Sequence, residues 1–197
     1  MTNAENVSPR YFWEGQLTHL LALTGLLVLV GLWVDFDRLS RRDLLGIDAR
    51  VWFVVAVAVP IAHQVFVWLA WRSELCFGTL TRWFRSRAFS VYETLFFVLF
   101  WARPVSLILL TIADHDSVGI SVRARVVICV VSAIPAAYTS YSVVRYFGVS
   151  RAAGADHFVA SYRTLPLVTG GIFRWTSNAP YTYAFLWLWL IAIAREP

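Results

Sequence analysis

"VWFVVAVAVPIAHQVFVWLAW", residues 51–71, runs for 21 residues without a charged side chain. A hydrocarbon core about 30 Å thick needs about 20 helical residues to cross it. Inside it a backbone must satisfy its own hydrogen bonds, which only a helix or a closed barrel does. The stretch is therefore predicted to be a membrane-spanning helix. Pro60 is tolerated there because neighbouring helices re-satisfy the freed backbone groups. Three more runs read the same way: Leu17–Val34, Thr94–Ile112 and Val126–Phe147, the last carrying Pro135. A fifth segment, residues 179–194, is shorter. Its uninterrupted apolar part, Tyr181–Ala194, is 14 residues long, about 21 Å of helix at about 1.5 Å per residue.

Composition points the same way. Of 197 residues, 59% are hydrophobic and 15% charged, against about 45–50% and about 25% in a soluble domain. The expected fold is all-α: a single domain over residues 1–197, a polytopic membrane bundle of about five transmembrane helices. The connections are compact, with no repeat, linker or low-complexity tract. No cleavable signal peptide is evident, because the first apolar run is long enough to span and reads as an anchor. Cys76 and Cys129 lie far apart, with no C-x-x-C and no histidine at ligand spacing, which disfavours a metal site or a disulfide framework.

All 17 basic residues are arginine. The coding bias of a GC-rich genome accounts for this; the functional alternative is that arginine's planar fork suits headgroup phosphates and carboxylates. The net charge of +5 fits contact with an anionic membrane face. It does not point to nucleic acid, because the arginines sit in short loops between apolar runs. Nine loop arginines fall on the side of the N-terminus and seven on the other. That bias puts the N-terminus and the loop 148–178 on the cytoplasmic side of a bacterial inner membrane, although "DFDRLSRRDLLGIDAR", residues 35–50, argues the other way. "RSELCFGTLTRWFRSRAFS", residues 72–90, is too polar to cross. It reads either as a solvated loop with interfacial anchors or as an in-plane amphipathic helix on anionic lipid.

Polar residues inside apolar runs are the first candidates for chemistry. Arg103, followed by Pro104, falls near the middle of its run, where a bare arginine costs at least about 2.5–3.5 kcal/mol. It should face a cavity or a partner, which makes it a candidate pocket or catalytic residue. His63 and Gln64 sit past Pro60, and a membrane histidine is more often an interhelical hydrogen-bonder than a catalyst. Glu93 reads as interfacial, and Asp156–His157 as a solvated loop pair.

The densest polar stretch is "RYFGVSRAAGADHFVASYRTLPLVTGGIFRWTSNAPYTY", residues 145–183. Gly170 and Gly171 permit a tight turn or a close backbone approach. Ser177 or Asn178 suits the cap of the following helix, and Pro180 its first turn. Free N–H groups at that helix start, beside Arg174, would make an anion site. Alternatively the stretch only caps a membrane helix and pins it at the interface with Trp175 and Tyr181.

Within it, "LVTGGIFRWTSNAPYTY" resembles the signature of the isoprenylcysteine carboxyl methyltransferase and phospholipid N-methyltransferase group of small membrane enzymes. Gly171, Phe173, Arg174, Trp175 and Tyr181 fall on that pattern. Its arginine-histidine-proline is replaced by Ser177, Asn178 and Ala179, with Pro180 one place late. The preceding "RYFGVSRAAG" and "LPLVTGG" resemble the lead-in. The resemblance implies methyl transfer from S-adenosylmethionine, at the membrane surface, to a lipid or other hydrophobic acceptor arriving from the bilayer. It puts Gly171, Phe173, Arg174, Trp175, Asn178 and Tyr181 around the cofactor, with Arg174 and the helix N-terminus on its carboxylate. Asn178 stands where the family has histidine; as a candidate catalytic residue it would hydrogen-bond but not titrate. Positioning would then supply most of the catalysis.

Members of that group continue through a further membrane helix to a tail bearing a glutamate and basic residues. Nothing after Ala194 plays that part, so the chain is expected to be a piece of something longer, to rely on a partner, or to have lost the activity. The rival function is a non-catalytic membrane protein that keeps the fold for binding or assembly. A channel or transporter is disfavoured, because the runs show no inverted repeat and few pore-lining charges.

Overall fold

A computed structural model describes residues 9–33, 39, 43–114 and 120–194. Their helices are α1 (Gln16–Trp33), α2 (Ala49–Phe77), α3 (Thr79–Phe84), α4 (Ala88–Ala113), α5 (Val122–Ser142), α6 (Val149–Ala152), α7 (Ala160–Arg163) and α8 (Leu186–Ala194). Three stretches are long and apolar enough to cross a membrane: Ala49–Phe77, Thr79–Ala113 and Val122–Phe147, of 29, 35 and 26 residues. The helical class holds, and among the described residues these three stretches meet both criteria, against the five spans expected. Helix α1 is apolar and 18 residues long, and Pro180–Ala194 is a shorter apolar helix.

Local chemistry sets the helix ends. The Asp48 carboxylate accepts the Arg50 N–H at 2.7 Å and starts α2, directly after the two-residue strands β1 (Asp43–Leu44) and β2 (Ile47–Asp48), which pair antiparallel. Gly78, left-handed at φ 60, ends α2 by donating its N–H to the Glu74 carbonyl. The buried Glu74 carboxylate then accepts the N–H groups of Leu80 at 2.9 Å and Thr81 at 3.1 Å, and the Thr81 hydroxyl as well. One side chain from the end of α2 thus satisfies the orphan donors at the start of α3. The stretch 72–90 is therefore mostly helical and not a plain loop: the end of α2, a glycine break, the six-residue α3 and the start of α4. At the far end, Ser121 caps α5 by accepting the Ala124 N–H at 3.4 Å.

Helix α2 packs along α4, and α8 packs against both α4 and α5. The buried apolar positions are mostly alanine, among them Ala49, Ala70, Ala88, Ala113, Ala136 and Ala179, whereas bulky Leu21, Trp101, Val131 and Trp189 face outward. Lipid tails are as apolar as leucine, so helices in a bilayer associate through close backbone approach at small residues. Polar pins cross these seams. The Trp71 indole donates to the Tyr92 hydroxyl at 2.8 Å, which donates to the Ala153 carbonyl at 2.7 Å. The Trp187 indole donates to the Ser140 hydroxyl at 3.0 Å. Arg72 donates to the carbonyls of Tyr11 and Glu14 at 2.9 and 3.3 Å, and Trp68 donates to that of Phe12 at 3.2 Å. The N-terminal turn, α3 and the connection from α5 to α8 therefore gather at one end of the bundle.

Candidate functional site

That connection carries the stretch singled out above. It leaves α5 through a π-helical turn, Val143–Phe147, and comes back over the end of α5. Gly171 has φ 59, and a Cβ there would lie 2.5 Å from Ser142 Oγ and 2.8 Å from the Tyr146 ring; one on Gly170 would lie 2.7 Å from that ring. Ser142 Oγ accepts the Ile172 N–H at 3.1 Å and donates to the Tyr138 carbonyl at 2.7 Å. The glycine pair thus serves both expected purposes, a left-handed turn and a backbone pressed onto its neighbour. Phe173 stacks on Phe147 at 5.2 Å, in a small core with Ile172 and Ala179.

Beside this core lies an apolar groove of about 380 Å³, lined by Ile134, Pro135 and Tyr138 of α5 and by Ile172, Trp175 and Tyr183. Its side-chain polar groups are two tyrosine hydroxyls and the Trp175 indole.

The residues expected around a cofactor divide into three sets. Gly171 and Phe173 are occupied by packing. Trp175 lines the groove and meets Tyr138 at 5.9 Å. Arg174, Asn178 and Tyr181 are exposed. Among the described residues Arg174 has no hydrogen bond or ion pair, which leaves its guanidinium free for a ligand. Tyr181 meets Phe185 at 6.4 Å, and it is Tyr183, two residues on, that reaches the groove. The expected side-chain cap by Ser177 or Asn178 is not made. The Thr176 hydroxyl instead accepts the Asn178 N–H at 3.2 Å, and the π-helical turn Pro180–Ala184 starts at Ala179 with no side-chain cap, Pro180 taking its first turn as expected.

Arg103 is not among the groove's lining residues. Its NH1 lies 3.4 Å from His63 Nδ1, and its guanidinium carbon lies 5.2 Å from the centre of the Phe185 ring. The two intramembrane polar residues flagged in separate runs thus meet each other. Arg195 and Glu196 lie outside the described residues.

Sequence reasoning missed the cluster that holds the loop down. Trp71 stacks on His157 at 4.2 Å with 12° between the planes, and a Cβ at Gly154 (φ 93) would lie 2.4 Å from the Trp71 ring. His157 Nδ1 lies 3.2 Å from both the Gly154 carbonyl and Asp156 Oδ1. The pair is therefore packed against α2, not simply solvated. Burial pushes the His157 imidazole below its ordinary value, with the Asp156 carboxylate pulling the other way. Glycine at position 154 was the one available signal.

The chain matches no protein-family model, no curated protein and no solved structure.

Proposed function

We propose that the protein is an integral membrane methyltransferase, transferring a methyl group from S-adenosylmethionine to a lipid or lipidated acceptor. One observation carries this reading: the stretch that resembles the methyltransferase signature is also a wall of the apolar groove. Ile172, Trp175 and Tyr183 face Ile134, Pro135 and Tyr138 of the membrane-crossing α5, so an acceptor's chain can enter from the bilayer. The groove's apolar lining suits that chain and not the donor's ribose or amino acid. Arg174, with a free guanidinium, fits the donor's carboxylate, for which arginine's fork offers two parallel bonds. Asn178 adds an exposed amide four residues on. The methyl passes from the sulfonium sulfur to the acceptor's nucleophile, leaving the thioether, and the protein's task is to align the two. In this reading five apolar segments lie in a bacterial inner membrane with the loop 148–178 facing the cytoplasm.

Calorimetry of the full chain in nanodiscs with S-adenosylmethionine tests the reading. Saturable heat is expected, and Arg174→Ala should weaken binding by about 1.5–3 kcal/mol while leaving the thermal midpoint in place. No heat at millimolar donor overturns it. A second reading, a non-catalytic binder of hydrophobic ligands, is favoured by the packing of Gly170 and Gly171 on Tyr146, which accounts for both glycines without a cofactor. Retention of an apolar ligand without donor binding would select that reading.

A further inference from the structure

His63 is the central residue of α2, and Arg103 lies close to mid-length in α4. A guanidinium can only donate, so in their 3.4 Å contact His63 Nδ1 accepts, and the neutral imidazole then carries its proton on Nε2. That Nε2–H is buried without an acceptor, and so is Arg103 Nε–H. His63 itself is only 4% exposed. The surroundings are aromatic rings: Phe96 and Phe100 make T-shaped contacts with the imidazole at 4.9 and 6.4 Å, and the guanidinium carbon lies over the Phe185 ring at 5.2 Å. A ring face attracts a cation, but it does not neutralise it or take up the stranded N–H groups.

Among the described residues, no carboxylate of these helices does so either. In α1, α2, α4, α5 and α8 the acidic residues are Glu74 and Glu93. Both sit at one end of the bundle, about 15 Å along the helices from the pair at about 1.5 Å per residue. Both are also engaged, Glu74 by Leu80 and Thr81, and Glu93 by the Ser150 hydroxyl. Arginine stays charged in proteins, and an uncompensated charge in hydrocarbon marks a site that recruits its counter-ion.

We propose that the Arg103–His63 pair, between α2 and α4, binds the oxyanion head of an amphiphile, a carboxylate or a phosphate ester whose hydrocarbon chain remains in the bilayer. Phe185 and Tyr183 are two residues apart and so point to opposite sides of their turn. The pair's site therefore faces α4, away from the groove on α5, and it does not depend on methyl transfer.

The test is equilibrium binding of radiolabelled oleate, dioleoyl phosphatidic acid and oleyl alcohol to the full chain in a neutral maltoside detergent. Wild type should retain an oxyanion amphiphile and not the alcohol; preference for oleate or for phosphatidic acid identifies the source of the head. Arg103→Gln should weaken binding by at least about tenfold, the loss of a charge-assisted bond, and Arg103→Lys by less. The amphiphile should also raise the thermal midpoint of wild type and not that of Arg103→Gln. Equal binding by wild type and Arg103→Gln, or equal retention of oleate and oleyl alcohol by wild type, overturns the proposal and leaves a bridging water as the partner of the two donors.

Discussion

Tyr92, with no exposed surface, uses one hydroxyl twice, accepting from Trp71 and donating to the Ala153 carbonyl. Tyr92→Phe leaves an indole N–H and a carbonyl without partners and should cost about 1–3 kcal/mol, read as a lower thermal midpoint in detergent. Trp71→Phe breaks the same chain, so the double variant should lose less than the two single losses added together; full additivity would mean that the two side chains act separately. Neither residue could be picked out in advance. An aromatic in an apolar run looks like any lipid-facing ring, and a partner that is a backbone carbonyl leaves no trace in sequence. Arg103 and His63 were legible for the opposite reason: a polar group in hydrocarbon has to be explained. What the sequence could not say was that they meet.

At the scale of elements, the helices follow the apolar runs, and the departures have local causes. The third long run starts at Thr94, yet α4 begins six residues earlier at Ala88, and the Glu93 carboxylate within that extension accepts the Ser150 hydroxyl at 2.7 Å. The loop carrying the glycine pair is fixed by contacts that leave no room for a methyl group. Gly171→Ala should destabilise by about 1 kcal/mol or more, with faster amide exchange over residues 168–176, since both the left-handed φ and the Ser142 contact oppose a Cβ. The His157 cluster predicts a pH response. Its folded value lies below the free one, so the fold favours neutral imidazole. That stabilisation is complete above about pH 6.5 and is lost as pH falls toward the folded value. The thermal midpoint should drop on acidification, and His157→Gln should flatten the profile below about pH 6.5; an unchanged slope in the variant would assign the response to another group.

Across the whole molecule, the arginines Arg72, Arg82, Arg85, Arg87, Arg151 and Arg174 cluster at the end where the N-terminal turn, α3 and the loop onto α8 meet. In the proposed orientation this end faces the cytoplasm. A single cysteine at exposed Ser86, in a chain whose Cys76 and Cys129 are changed to serine, should react with a membrane-impermeant maleimide in inverted vesicles and not in intact cells. The reverse pattern would turn the bundle over.

The alanine seams carry a consequence for anyone who re-engineers this scaffold. Between α2, α4, α5 and α8 most buried apolar positions are alanine, with Tyr92, Val67 and Leu190 among the exceptions, and many of the heavy side chains are turned outward. Enlarging Ala136 or Ala70 wedges two backbones apart and should damage assembly, whereas trimming Trp101 or Leu21 gives one lipid contact for another. A deep mutational scan of the helices would then rank sites in the reverse of the order familiar from water-soluble domains, with growth forbidden inside and shrinkage tolerated outside.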